Sequence, residues 1–196
     1  TIFMQVSRIR ALRGPNLWSR HTAIEAIVSC SVEDCGLSAQ HPVEQQLRRI
    51  FPEVGPFDGQ RPGEAASLAH ALEKVTLSLQ AHAGCPVSFS RTTPTEEPGV
   101  FQVVVQYTEE AVGRLALNLA EQLCQAAKAS AGFDLEGAIA QLHELDEDVR
   151  LGPSTGAIVD AAVARGIPIR RLTDGSLVQF GWGAKQRRIQ AAETDT

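Results

Sequence analysis

Cysteine, lysine and aromatic residues are scarce in this chain of 196 residues. The four cysteines (Cys30, Cys35, Cys85 and Cys124) are too few for a disulfide scaffold of this size, so we expect a reducing cytoplasm. The ten aromatic residues are not interleaved with the basic ones, which argues against nucleic-acid binding. No apolar run approaches the ~20 residues of a membrane span, and no signal peptide is visible. We therefore expect neither nucleic acid nor membrane as a partner.

Charge is unevenly distributed along the chain, although the formal net charge is only −5. Residues 1–20 hold four arginines and no acid, residues 21–150 hold 8 basic and 19 acidic residues, and residues 151–196 hold 6 basic and 4 acidic residues. Fifteen of the 18 basic residues are arginine, whose planar fork grips carboxylates bidentately. One interpretation is that these arginines bind the carboxylates of a ligand. The alternative interpretation is that they are ordinary solvated surface charges.

The composition, with 43% apolar and 21% charged residues, is that of a globular protein. Met4 is the only methionine, so we expect it to be the natural start and residues 1–3 to be vector-derived. The sequence Arg-Leu-Gly-Pro at 150–153 is typical of a boundary between two domains. We therefore predict an N-terminal domain over residues 4–150 and the truncated start of a second domain over residues 151–196.

The first domain is predicted to have an α+β fold of about four strands and four helices, because the elements do not alternate as β-α-β-α. Strands are predicted over 4–12, 22–32, 86–91 and 100–107, the last two forming an antiparallel hairpin. Helices are predicted over 42–50, over 64–82, from an N-cap at Thr108 to 129, and from Asp134 to 149. The stripe Leu68, Leu72, Val75 and Leu79 carries the helix over 64–82. The second domain is predicted to open with a helix to 165 and a hairpin over 167–172 and 177–180.

One helical segment carries a possible metal motif. His70 and Glu73 resemble part of the inverted zinc-peptidase motif His-x-x-Glu-His, in which two histidines four residues apart hold the metal. Lys74 occupies the second histidine position, and an ammonium repels a cation. We therefore interpret His70 and Glu73 as a degenerate pair and predict no catalytic and no metal site.

Several segments together resemble the N-terminal region of the cyanophycin synthetase family. They lie at 10–19, 90–92, 152–159, 165–168, 171–172, 176–181 and 186–191, in the order that the family has. The first reads Arg-Ala-Leu-Arg-Gly-Pro-Asn-Leu-Trp-Ser and the third Gly-Pro-Ser-Thr-Gly-Ala-Ile-Val. The resemblance implies that residues 151–196 begin an ATP-grasp domain.

The resemblance also implies a larger parent enzyme and a function. Such a parent uses ATP and Mg²⁺ in ATP-grasp and Mur-ligase-like domains to make cyanophycin, a poly-aspartate chain that bears arginine. It is expected to be a homo-oligomer. This chain is then a polymer-binding and scaffolding domain with no cofactor and no catalysis of its own. Some relatives have a peptidase helix in this domain, so a second hypothesis is that the chain is a zinc peptidase that trims the polymer into primers. The third hypothesis is a purely structural oligomerisation module.

The candidate polymer-binding residues are arginines. We select Arg8, Arg10, Arg13, Arg20 and Arg91, and we expect Arg8 and Arg10 to share a face of the first strand by simple alternation. Salt bridges to the acidic part of the chain are the alternative role for these side chains.

Overall fold

The computed structural model describes residues 4–13, 22–38, 40–54 and 66–151, together with the strand backbone at 169–171 and 178–180. The chain divides into two units, residues 1–135 and 136–196, and each is described by itself. The predicted α+β class is confirmed. The predicted helix to 165 lies outside the described residues, and the domain boundary at 150 stays a prediction.

A four-stranded antiparallel sheet is the centre of the first unit. Its strands are β1 (Met4–Leu12), β2 (Ala23–Cys30), β3 (Ser90–Pro94) and β4 (Val100–Gln106), in the spatial order β1-β2-β4-β3. A 3₁₀ turn at Val32–Asp34 follows β2, and the helices are α1 (Pro42–Ile50), α2 (Leu68–His82) and α3 (Glu110–Lys128). Helices α2 and α3 pack on each other and contact the sheet, and α1 packs on α3.

One face of the sheet forms the core with the helices. The alternation of β2 and β4 buries Ile24, Ala26, Val28, Val103 and Val105 on this face. The helical stripe predicted for α2, namely Leu68, Leu72, Val75 and Leu79, is fully buried. Periodicity therefore identified the buried side of this helix correctly.

Helix α2 begins later than predicted. It starts at Leu68 rather than at 64, because Ala66 forms an isolated bridge with Leu37 and Ser67 is the N-cap. The Ser67 hydroxyl accepts from the backbone N–H of Ala69 at 3.1 Å, which satisfies a donor of the first turn. A long-range pairing therefore sets the start of this helix.

Two further predicted boundaries are wrong. Strand β3 covers Ser90–Pro94 instead of 86–91, since the N–H groups of Ser88 and Phe89 donate to the Gln106 side chain rather than to a strand ladder. Helix α3 has Glu109 and not Thr108 at its N-cap, with no side-chain capping hydrogen bond.

The second unit contains a helix and a hairpin. Helix α4 is Leu135–Arg150, and strands β5 (Ile169–Arg171) and β6 (Val178–Phe180) pair antiparallel. The hairpin agrees with the prediction, and Leu142 and Leu145 are fully buried side chains of α4.

A buried ion pair connects the 3₁₀ turn to the end of α3. The Lys128 ammonium lies 2.8 Å and 2.9 Å from the two carboxylate oxygens of Asp34, which is completely buried. The Ser31 hydroxyl donates to the same carboxylate at 2.9 Å. Glu33 also reaches Lys128, at 3.4 Å, but its side chain is 68% exposed.

We expect the ion pair between Lys128 and Asp34 to lose its stabilising contribution at alkaline pH. Burial lowers the pKa of Lys128, but the hydrogen bonds and charges of Asp34 and Glu33 outweigh it and raise the pKa above its ordinary 10.5. A group whose pKa is higher in the folded state contributes its full stabilisation at pH values below its unfolded-state pKa. It loses this contribution as the pH rises through its folded-state pKa. In denaturant titrations, the stability difference between the wild type and Lys128→Met should therefore narrow above a pH of about 10.5. A difference that stays constant at higher pH would contradict this role.

Candidate functional site

The histidine of the peptidase-like pair caps a helix. His70 is completely buried in the first turn of α2, and its Nδ1 accepts from the backbone N–H of Ser67 at 3.0 Å. The Ser67 hydroxyl accepts from the N–H of His70 at 3.3 Å, which completes a reciprocal capping box. The His70 ring meets Phe101 of β4 edge-on, with centroids 5.7 Å apart.

The glutamate of the pair holds the edge strand β3 against α2. Glu73 is completely buried, and its two carboxylate oxygens accept from the hydroxyls of Ser90 and Thr92, the latter at 2.7 Å. With Lys74 in place of a second histidine and both carboxylate oxygens engaged, the residues present do not fit a zinc ion. His70 and Glu73 therefore both make contacts that hold α2 against the sheet.

Removing this carboxylate should destabilise the fold. Glu73→Ala leaves the Ser90 and Thr92 hydroxyls without this acceptor, so we expect the free energy of unfolding to fall by about 2 kcal/mol. Glu73→Gln keeps one acceptor oxygen and should cost about half as much. Urea unfolding of both variants measures the difference, and a loss below about 0.5 kcal/mol for Glu73→Ala would contradict the structural role.

The structure brings two of the five candidate arginines onto one face of the sheet. Arg10 lies opposite Glu25, Glu25 lies opposite Val104, and Arg91 lies opposite Val104. Residues directly opposite one another share a face. The sequence neighbour of Arg91, Thr92, points to α2, so Arg10 and Arg91 lie on the sheet face that is turned away from α2. We call this the outer face.

On the outer face, Glu25 and Val104 lie nearly buried in one row between two exposed arginines. Glu25 is nearly buried, with a side chain only 6% exposed, and it accepts from Nε of Arg10 and from the side-chain amide of Gln102. The Arg10 side chain remains 64% exposed, and Arg91 is exposed on the opposite edge strand. The hydrogen bond and charge of Glu25 raise the pKa of Arg10 further, so this guanidinium is always charged.

The expectation that Arg8 and Arg10 share a face is wrong. Arg8 and Ile9 both lie opposite Ala26, which is a β-bulge, and Arg8 adopts a left-handed φ of 51°. The extra residue breaks the alternation, so the even-numbered positions of β1 before and after it lie on opposite faces. Arg20 lies outside the described residues.

The fourth candidate, Arg13, forms an ion pair at the end of the sheet. Its Nη2 lies 3.1 Å from one oxygen of Glu110, and Nε of Arg114 lies 2.9 Å from the other. Burial and the charge of Glu110 raise the pKa of the neighbouring Tyr107, although Arg13 and Arg114 oppose the rise. Sequence reasoning missed Arg114, and its position four residues after Glu110 on a helix was the pattern that could have found it.

A glycine allows α3 to approach this end of the sheet. A Cβ at Gly113 would lie 2.7 Å from Cβ of Tyr107, which is too close for any larger residue to fit without a shift.

Arg10 and Arg13 both form ion pairs, which is the alternative role expected for the candidate arginines, whereas Arg91 makes no ion pair with a described residue.

Comparison with known proteins identifies the family. Residues 52–128 match the family model described as the cyanophycin synthase-like N-terminal domain. The chain carries a cyanophycin synthase-like N-terminal domain. Cyanophycin synthetases of Trichormus variabilis and of a Nostoc species are each 35% identical over 209 residues, which cover 98% of this chain and 23% of theirs. The cyanophycin synthetase of Geminocystis herdmanii is 34% identical over 205 residues, which cover 96% and 23%.

The matched range can be located among the elements described above. The cyanophycin synthase-like domain model covers α2, β3, β4 and α3, including Arg91, whereas Arg10 lies outside it and inside the longer alignments. The chain spans about a quarter of the length of these relatives, and their names describe the full-length proteins.

Burial disfavours nucleophilic chemistry at three of the four cysteines. Burial, assisted by the nearby Cys35, raises the pKa of Cys30 to about 12. Burial also raises the pKa values of Cys35 and Cys124. These thiols stay protonated near neutral pH, and the protonated thiol is not the nucleophile. Within the described ranges, no three His, Cys, Asp or Glu residues converge as a metal site, and no helix is long and apolar enough to cross a membrane.

Proposed function

We propose that this chain holds cyanophycin for an ATP-dependent peptide ligase and has no catalytic activity of its own. Relatives named cyanophycin synthetase that align with nearly the whole chain support cyanophycin as the ligand. The observation that carries the binding role is the outer face, where Arg10 and Arg91 flank one row of the sheet. Exposed guanidinium forks bind carboxylates bidentately, and cyanophycin presents carboxylates repeatedly.

The proposal assigns the ligase chemistry to the rest of a longer protein. ATP and Mg²⁺ would serve ATP-grasp and Mur-ligase-like domains that work beside this one in a homo-oligomer. None of the four cysteines, all of which lie in the described part of the chain, forms a disulfide, which supports a cytoplasmic location.

The outer face favours polymer binding over the two alternatives. A zinc peptidase needs His70 and Glu73 as ligand and base, but His70 caps α2 and Glu73 anchors β3. Stoichiometric zinc together with cyanophycin cleavage that is lost in His70→Ala would reverse this ranking. A purely structural module would self-associate, or bind the remaining domains, while ignoring the polymer.

Binding to immobilised cyanophycin at increasing salt tests the proposal. We expect the purified chain to be retained at low ionic strength and released as salt screens its arginines, since the Debye length falls from about 30 Å at 0.01 M to about 3 Å at 1 M. No retention even at low ionic strength would overturn the binding role and leave the structural module.

A further inference from the structure

Strand β1 has one edge that pairs with no described strand. The spatial order β1-β2-β4-β3 places β1 at the border of the sheet, where β2 is its partner on one side. Gln5 and the four residues 7–10 are exposed to solvent. Backbone N–H and C=O groups on such an edge are a template for another extended chain. We call this side of β1 the open edge.

The hydrogen-bond pattern of the sheet shows which backbone groups point to the open edge. Cys30 of β2 donates to the carbonyl of Gly99, directly before β4, at 2.8 Å, so the even-numbered residues of β2 bond toward β4. Because bonding alternates along an antiparallel strand, the odd-numbered residues of β2 bond toward β1. Their β1 partners are Gln5, Ser7, Arg10 and Leu12. The backbone N–H and C=O groups of Val6 and Ala11, which alternate with these partners, therefore point to the open edge.

Charge determines which extended chain suits the open edge. Residues 4–13 contain three arginines and no acidic residue. Arg10 and Arg13 have ion-pair partners, whereas Arg8 forms no ion pair with a described residue. Pairing of two copies of β1 brings these arginines together, and the bulge at Arg8 and Ile9 hinders long regular pairing as well. An acidic extended chain meets the opposite charge and is favoured over a second copy.

We propose that the open edge of β1 binds an extended, carboxylate-rich polyamide as an additional strand. Val6 and Ala11 form hydrogen bonds with its backbone amides, and the arginines of β1 attract its carboxylates. This inference rests on the proposed function and adds the part of the polymer that is recognised, namely its amide backbone. Because every residue of a polyamide offers the same backbone groups, a repeating chain can shift by two residues and bind again in the same way.

Amide hydrogen exchange of the full wild-type chain, followed by NMR, tests the added strand. The probe is hexa-aspartate with an acetylated N-terminus and an amidated C-terminus. With this peptide at about ten times its dissociation constant, exchange of the Val6 and Ala11 N–H groups should slow roughly tenfold, because the bound strand accepts from them. Hexa-aspartate that is N-methylated at every residue is the control of equal charge. Its methyl groups replace the backbone donors and block close approach, so it should leave both exchange rates unchanged. No binding of the unmethylated peptide, or binding without slower exchange at either residue, would overturn the added strand.

Ala11→Pro and its matched control Ala11→Ser test the same edge from the side of the protein. Because the Ala11 N–H points away from β2, proline here removes a donor of the open edge and keeps the ladder between β1 and β2. Retention on cyanophycin should weaken roughly tenfold in Ala11→Pro and stay near the wild-type value in Ala11→Ser, which keeps the N–H. Equal retention of all three proteins would overturn the added strand and leave the proposed function intact. Absence of retention in the wild type would overturn the proposed function and this inference with it.

Discussion

Replacing Lys128 with alanine is expected to lower the free energy of unfolding by about 3 kcal/mol, because it leaves the Asp34 carboxylate in the interior without its cation. Asp34 is completely buried, and both of its carboxylate oxygens lie within 2.9 Å of the Lys128 ammonium. Removing one member of a buried pair costs far more than the pair contributes in total, since the remaining charge stays desolvated. Denaturant unfolding followed by circular dichroism measures the loss.

Glu33→Ala is the matched control for this prediction. Glu33 contacts the same ammonium at 3.4 Å, but its side chain is 68% exposed. Exposed ion pairs contribute little, so we expect a loss below about 1 kcal/mol. Equal losses for the two variants would show that burial does not determine the strength of this ion pair.

Reversing the charge of Arg91 is expected to weaken cyanophycin binding roughly tenfold or more at low salt, since a like charge replaces an attractive one. Arg91 is exposed on the edge strand β3, and the reversed side chain would face solvent and not the core. Unfolding of Arg91→Glu should therefore stay close to that of the wild type, which separates a binding defect from a folding defect.

Arg49→Glu is the control for the change in net charge. It alters the formal charge of the chain by the same amount on α1, which packs on α3. Nonspecific electrostatic attraction would weaken equally in both variants, whereas a site on the outer face weakens only in Arg91→Glu. Equal retention of Arg91→Glu and wild type on cyanophycin would remove Arg91 from the site.

Local patterns in the sequence predicted most elements of the fold. The apolar stripe of α2 from Leu68 to Leu79 is buried as its periodicity indicates, and the strand and helix content gives the α+β class. The start of α2 was predicted too early because the bridge between Leu37 and Ala66 joins distant parts of the chain. Such pairings leave no local pattern in a single sequence.

The candidate site was predictable in its residue type and not in its arrangement. Arginine enrichment selected Arg10 and Arg91, but their common row depends on the strand order β1-β2-β4-β3, which sequence spacing does not contain. The bulge at Arg8 places a non-glycine residue at φ 51°, a conformation that strand patterns do not predict. The family resemblance, by contrast, was carried by the sequence itself and is confirmed by the match over residues 52–128.

The affinity of the purified chain for cyanophycin at low ionic strength, measured beside Arg91→Glu and Arg49→Glu, tests the central claim most directly. The account predicts that the wild type and Arg49→Glu bind with similar affinity and that Arg91→Glu binds roughly tenfold more weakly or worse. The claim is contradicted if the wild type does not bind cyanophycin, or if all three proteins bind it equally well.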